Sequence, residues 1–277
     1  MKLRFRLVAA TLLWALAGAA LAQAQPAAKP YQPEVGQEGK DVVWVPTSQA
    51  LVDRMLDLAK LTSADVLIDL GSGDGRTVIT AAKRGARAYG IEYNPDMVEL
   101  SKRNAAQAGV ADRATFEKAD LFQSDFSHAT VITMFLLPTI NVQLRPKILQ
   151  LKPGTRIVSN TFTMGEWEAD QTATVGDPDA SYYRTALLWI VPARVDGHWR
   201  APQGDIEFVQ SFQTFSGTLN TGGRSVRIEN GQLNGEEIRF TAGGTTYAGR
   251  VRGDAIEGTA SAPGAPAAPW TATRRKP

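Results

Sequence analysis

Apolar residues change their spacing twice along this chain. From Leu7 to Ala22 they run without a charge, from Asp41 to about residue 192 strand-length runs alternate with stretches at helical spacing, and beyond about Val195 short alternating stretches are broken by glycine. Buried strands alternating with amphipathic helices mark a parallel α/β sheet, and short alternating runs with glycine turns mark antiparallel β structure.

In the middle region Thr47 or Ser48 caps a helix that carries Leu51, Val52, Met55, Leu56 and Ala59 on one face. Val66-Leu67-Ile68-Asp69-Leu70 is almost continuously apolar, as a strand buried on both faces requires. A helix is predicted from Arg76 to Arg84 and a strand from Ala88 to Tyr93. Asn94-Pro95, an N-cap followed by a first-turn proline, then opens a helix that runs to Gly109. Further strands are expected at Ala114 to Ala119, Thr130 to Leu136, Arg156 to Phe162 and Tyr182 to Val191, with a helix over Thr139 to Leu151. The expected architecture is a doubly wound, mostly parallel sheet, with Tyr182, Tyr183 and Trp189 read as strand packing.

The last region contains a weak repeat. Gly231-Gln-Leu233-Asn-Gly235-Glu236-Glu237-Ile238 and Gly249-Arg-Val251-Arg-Gly253-Asp254-Ala255-Ile256 share one pattern, offset by 18 residues. Each places an x-Gly pair between alternating stretches, a tight hairpin signal. An antiparallel meander of six to eight strands is predicted, with Trp199, Phe208, Phe212, Phe240, Tyr247 and Trp270 in its core. Closure into a small, loosely lipocalin-like barrel would hide the strand edges, and a solid core is favoured over a ligand cavity.

The N-terminal run changes the meaning of the charge balance. Lys2, Arg4 and Arg6 precede sixteen uncharged residues ending in Ala20-Leu21-Ala22. That run falls short of the roughly 20 residues a spanning helix needs and ends in a small-x-small cleavage pattern, so residues 1–22 read as a secretory signal peptide. Cleavage takes the net charge from +2 to −1 and removes any global electrostatic case for nucleic acid or an anionic membrane. The expected location is exported and periplasmic, the alternative being an uncleaved inner-membrane anchor and membrane contact only through that segment. Residues 23–40, with Pro26, Pro30 and Pro33, read as a tether. Residues 41–194 and 195–277 are the two expected domains. The chain has no cysteine, which excludes disulfides, thiolate metal sites and a thiol nucleophile.

Candidate chemistry concentrates in Asp69-Leu70-Gly71-Ser72-Gly73-Asp74-Gly75, directly after a buried strand and before a helix. Glycines there allow a tight turn and close backbone approach to a ligand, while the helix offers unpaired N–H groups. A dinucleotide fingerprint needs Gly-x-Gly-x-x-Gly, and its third glycine would fall where Arg76 stands, which argues against a nicotinamide oxidoreductase. Glu92 ends the second strand and Asp120 follows the third. In a doubly wound sheet these ends open on the crevice that also holds Asp69. A carboxylate at Glu92 can accept from the vicinal hydroxyls of a ribose, and one at Asp120 from the exocyclic amine of an adenine. The competing reading of each acid is a cap for the turn that follows it. His128 and His198 form no metal spacing, so no metal is expected, and Gly71-Ser72-Gly73 is not a nucleophile elbow.

With these motifs the sequence resembles the class I S-adenosylmethionine-dependent methyltransferases over about Asp41 to Val191. Trp44-Val45-Pro46-Thr47, Asp69 to Arg76 and Gly90-Ile91-Glu92-Tyr93-Asn94-Pro95 are similar to small protein-lysine methyltransferases of the ATP synthase c-subunit type. They are similar also to exported bacterial relatives carrying Leu136-Leu137-Pro138 and Lys152-Pro153-Gly154-Thr155-Arg156. The resemblance implies a Rossmann-like sheet and S-adenosylmethionine as cofactor. It implies cofactor contacts from Pro46, Thr47, Asp69, Gly71, Ser72, Gly73, Asp74, Gly75, Glu92, Tyr93, Asn94, Asp120 and Leu121. Leu136-Leu137-Pro138-Thr139 lacks the Asn/Asp-Pro-Pro-aromatic motif of enzymes acting on amide or adenine nitrogens, which disfavours those acceptors. Ser159-Asn160-Thr161-Phe162 contains no His or acid, so no catalytic base is assigned; Asn160, Glu166 and Trp167 are the candidates for lining the acceptor pocket, with simple packing the favoured reading of Trp167. The implied acceptor is an amine, a protein lysine or a small molecule, and the alternative is a non-catalytic nucleoside-binding or scaffolding module.

Overall fold

Ser48 sits in extended conformation ahead of α1 (Gln49–Leu58), and its hydroxyl accepts from Leu51 N. The buried face of α1 is Leu51, Val52, Met55 and Leu56, the set its sequence periodicity marks. The α/β half continues through β1 (Val66–Leu70), α2 (Arg76–Lys83), β2 (Arg87–Glu92), α3 (Pro95–Gln107), β3 (Ala114–Lys118), β4 (Val131–Met134), α4 (Pro138–Ile148), β5 (Arg156–Asn160), β6 (Gln171–Thr174) and β7 (Thr185–Ile190). Asn94 caps α3 by accepting from Asp96 N at 2.9 Å. This computed structural model describes residues 31–176 and 182–275. The expected signal segment 1–22 and the first part of the expected tether lie outside them. Among the described residues no helix is long and apolar enough to cross a membrane.

The seven strands lie in the order β3-β2-β1-β4-β5-β7-β6, parallel from β3 to β5 and antiparallel at β7 and β6. Strand order reverses between β1 and β4, which opens a crevice at their carboxyl ends. Buried side chains pack on both sheet faces, with α1, α2 and α3 over one and α4 over the other. β6 is absent from the sequence reading because this four-residue edge strand buries only Ala173 and so leaves no hydrophobic period. β7 starts three residues later than expected: Tyr182 is 98% exposed, and Tyr183 lines the crevice. Of the three aromatics read as strand packing, Trp189 alone is a core residue.

The last eight strands are β8 (Gly197–Ala201), β9 (Gly204–Ser211), β10 (Thr214–Thr221), β11 (Arg224–Asn234), β12 (Glu237–Ala242), β13 (Thr245–Arg252), β14 (Ala255–Ser261) and β15 (Ala268–Arg274). They pair antiparallel and close into a barrel through β15–β8 and β9–β10. Both repeats are hairpins, β11–β12 and β13–β14, turning at Gly235 and Gly253 with φ of 59° and 60°. Aromatic rings fill the interior: Phe240 stacks on Tyr247 with centroids 4.7 Å apart and meets Phe208, Phe215 and Trp270 edge-on. Phe212 departs from its expected place in that core. Between β9 and β10 its backbone turns to φ 53°, and its ring stacks on Trp167 of the α/β half at 5.8 Å. Together with Ala193 N donating to Gly235 O and Gln213 Nε2 to Glu168 O, this contact seats the barrel on the sheet domain.

Candidate active site

The glycine turn after β1 is held from three directions. Gly71 N and Ser72 N donate to Ile91 O at 2.9 and 3.0 Å, Ser101 Oγ donates to Gly73 O at 2.8 Å, and Asn104 Nδ2 donates to Asp74 O at 2.9 Å. Gly73 has φ 52°, and a Cβ there would lie 2.7 Å from the Trp44 indole nitrogen, so both the backbone and the space require glycine. Gly75, the N-cap of α2, has φ 82° and is constrained by packing as well. A Cβ on it would strike the Phe116 ring at 2.8 Å, which places it beneath the site and not in its wall.

Three carboxylates stand at neighbouring strand ends, each with a different environment. Glu92 accepts from Gly73 N through Oε2 at 2.9 Å and from Asn94 N through Oε1 at 3.0 Å. Two backbone bonds orient it, and each oxygen keeps a lone pair for a ligand hydroxyl. Asp69 is buried and accepts from Thr133 Oγ1 at 2.7 Å, across the β1–β4 junction. Burial pushes its carboxyl up to about 7, helped by the charges of Glu92 and Asp74 and opposed by the Thr133 hydrogen bond. Asp120 lies nearer solvent, where Phe122 N donates to it at 2.9 Å and Lys40 Nζ at 2.7 Å. The Lys40 hydrogen bond is the first cause holding its carboxyl below the usual range.

The chain before α1 forms one wall. Gly36 N donates to Trp44 O and Trp44 N to Gln37 O, which folds residues 36–44 into a strap. Lys40, at its tip, lies 5.0 Å from the centre of the Tyr93 ring. Arg76 staples strap to turn. Its Nη2 meets Asp74 Oδ2 at 2.6 Å and its Nη1 donates to Thr47 O at 2.7 Å. The last residues of the expected tether are thus part of the site, because a short polar loop rich in glycine gives no periodic signal of its role.

These elements enclose a cavity of about 370 Å³. Pro46, Thr47, Asp69, Gly71, Ser72, Gly73, Asp74, Glu92, Tyr93, Asn94, Asp120 and Leu121 line it, as do Lys40, Trp44, Phe135, Phe162 and Tyr183. Asn160 supports this wall from behind: fully buried, it donates through Nδ2 to Thr47 Oγ1 at 3.1 Å. Glu166 and Trp167 do not line the pocket. Glu166 is exposed and paired with Arg145 at 2.6 Å, while Trp167 is buried between Trp189 and Phe212. Their proximity to Asn160 in sequence is undone by the turn after β5, which carries the chain away from the crevice toward the barrel.

The volume falls within the range of small-molecule sites. A left-handed glycine turn, an oriented carboxylate at the end of β2 and an acid after β3 fit an amino acid joined to a nucleoside. Fold and site together define a class I S-adenosylmethionine-dependent methyltransferase, and S-adenosylmethionine is its cofactor. The family described as the ANTKMT methyltransferase domain matches residues 69–171, stopping short of the barrel. A protein-lysine N-methyltransferase of Saccharolobus islandicus is 40% identical over 153 residues, 54% of this chain and 94% of that protein. The ATP synthase c-subunit lysine N-methyltransferase of Mus musculus is 40% identical over 111 residues, covering 40% of this chain and 45% of that protein. A crystal structure of an RNA methyltransferase from Salinibacter ruber with S-adenosylhomocysteine is 48% identical, covers 55% of this chain and 96% of that one, and superposes with a TM-score of 0.51. The chain belongs to the methyltransferase family of this Saccharolobus islandicus protein.

Proposed function

We propose that this protein methylates an amine, above all the side chain of a protein lysine, and that it does so after export. The observation that carries the acceptor is the crevice wall beyond β4. Met134, Phe135, Leu136 and Leu137 line it without an amide or carboxylate to orient an amide or adenine nitrogen. The names of the Saccharolobus islandicus and Mus musculus relatives support a lysine acceptor. The Salinibacter ruber relative is titled an RNA methyltransferase. A net charge of −1 after cleavage gives a polyanion little to hold.

When bound, S-adenosylmethionine supplies an electrophilic methyl carbon: the acceptor's nitrogen lone pair forms the new C–N bond while the C–S pair stays on sulfur. Glu92 and Asp120 are placed to hold the nucleoside, and the glycine turn with Asp69 the amino-acid end. Thr47, fixed by Asn160 through its hydroxyl and by Arg76 through its carbonyl, closes the wall beside the transfer path. No side chain on the apolar wall takes up a proton, so the amine arrives neutral after losing its proton to solvent, and positioning supplies the acceleration.

Export is supported by the Lys2 to Ala22 pattern, and Arg4-Phe5-Arg6 is not a twin-arginine pair, which favours threading as an unfolded chain. The alternative placement is an inner-membrane anchor through the same segment. The full-length protein incubated with methyl-labelled cofactor and an extract of exported proteins should label lysine. Label in RNA alone would overturn the acceptor. N-terminal sequencing of the protein recovered from the producing cell should begin near Gln23, and a chain retained in the cytosol with its leader would overturn export.

A further inference from the structure

The glycine turn, Glu92 and Asp120, read above as the cofactor-holding groups, lie at or just beyond the ends of β1, β2 and β3, on one side of the point where strand order reverses. On the other side, Phe135 follows β4, Phe162 follows β5 and Tyr183 precedes β7, and all three rings line the same cavity. Phe135 and Phe162 lie nearly parallel with centroids 5.9 Å apart, and Tyr183 stands 5.0 Å from the first and 5.7 Å from the second at steep angles. These residues are half-buried and belong to none of the three hydrophobic cores, unlike Trp167, Trp189 and the aromatics of the barrel. They pack on one another as a separate cluster, and that cluster faces the cavity.

Their placement is held by an uncommon backbone. Thr161, directly before Phe162, has φ 60°, a left-handed conformation unusual for a β-branched residue. It is stabilised where Thr161 N donates to Thr185 O at 2.7 Å and Thr161 Oγ1 to Asn160 Oδ1 at 2.9 Å. Strain of this kind persists where the surrounding structure enforces it, and it concentrates at functional sites. Asn160 also holds Thr47 on the cofactor side, so one buried amide fixes both halves of the crevice.

We propose that Phe135, Phe162 and Tyr183 form the acceptor subsite, a three-ring box that receives an alkyl ammonium group by cation–π attraction. The inference rests on the amine-methyltransferase reading above and names the groups that bind the amine. Ring quadrupoles attract a cation without needing N–H donors from it. The box therefore holds an N-methylated ammonium as well as a primary one, and a bound ammonium that still carries a proton gives it up to solvent before its nitrogen lone pair accepts the next methyl group.

The test uses full-length protein saturated with S-adenosylhomocysteine. Its probes are N-acetyl-trimethyllysine methylamide and the neutral isostere with a tert-butyl group in place of trimethylammonium, and binding is followed by NMR. The expected result is that the cation binds about tenfold more tightly than the isostere. Phe135→Leu and Phe162→Leu should each remove most of that preference, and Tyr183→Phe should keep it. S-adenosylhomocysteine affinity should stay unchanged in all three variants, with thermal unfolding as the check on folding. Equal binding of cation and isostere to the wild-type protein, or an undiminished preference in both leucine variants, overturns the box while leaving cofactor binding intact. If the wild-type protein fails to bind S-adenosylhomocysteine at all, the methyltransferase reading falls and this inference with it.

Discussion

Lys40 Nζ lies 2.7 Å from Asp120 Oδ2, joining the tip of the strap to the acid that follows β3. Asp120 is also the acid proposed to accept from an adenine amine, so the ion pair and a bound nucleobase would compete for one carboxylate. Lys40→Met keeps the apolar stem and removes the charge. We expect tighter S-adenosylhomocysteine binding in this variant and a weaker dependence of affinity on salt, both read by calorimetry. Weaker binding would identify Lys40 as a clamp on the cofactor.

Glu92 is held by two backbone N–H groups before any ligand arrives, which is preorganisation for a pair of ribose hydroxyls. Glu92→Ala should weaken cofactor binding by about 1–3 kcal/mol through loss of charge-assisted hydrogen bonds. An affinity equal to the wild type would reduce Glu92 to a cap for the turn before α3.

The raised Asp69 carboxyl makes both stability and binding depend on pH. Its ordinary value is 3.8 and its value in the folded protein is about 7. The folded chain therefore binds this proton more tightly than the unfolded chain. The stability it contributes is complete below about pH 4 and is lost as pH rises through about 7, on the order of a few kcal/mol. Urea unfolding across that range should show the wild type losing stability relative to Asp69→Asn as pH increases, and parallel curves would refute the assignment. A cationic ligand favours the carboxylate, so S-adenosylmethionine binding near pH 6 should release a proton, measurable as a buffer-dependent heat.

Arg76 connects Asp74 to the Thr47 carbonyl and so ties the strap to the glycine turn. Arg76→Gln should accelerate amide exchange in residues 36–45 and raise the cofactor KM severalfold, with little change in global stability because the side chain is partly exposed. Unaltered exchange in the strap would show that Trp44 alone seats it.

Phe240 lies at the centre of the barrel's aromatic cluster. Phe240→Ala leaves a cavity among rings and should cost about 3–5 kcal/mol of stability by urea unfolding. A change below about 1 kcal/mol would mean that the barrel unfolds separately from the rest of the chain.

The elements legible in the sequence are those whose cause is local. The β1 run Val66 to Leu70, the Asn94-Pro95 helix start, the glycine turn and the two Gly-turn hairpins each carry their signal within a few residues. Asp69, Glu92 and Asp120 can be placed together because strand order in a doubly wound sheet aligns the ends of its first strands. The four-residue edge strand β6 has no such signal. Residues 36–40 read as tether because a loop that folds over a pocket looks in sequence like one that does not.

Long-range placement of side chains settles the rest. Phe135, Phe162 and Tyr183 come from three strand ends far apart in the chain, and only the β4-β5-β7 order brings their rings within 6 Å of one another. Sequence pattern points Phe212 to the barrel core and leaves Trp167 between packing and the acceptor pocket, and only the structure shows the two stacked on each other between the domains. Apolar spacing along the chain tells which residues leave water, because burial is demanded locally by every turn of helix and every alternate strand position. It does not tell which partners they meet, because those contacts join surfaces whose relative placement depends on the packing of the whole sheet and barrel.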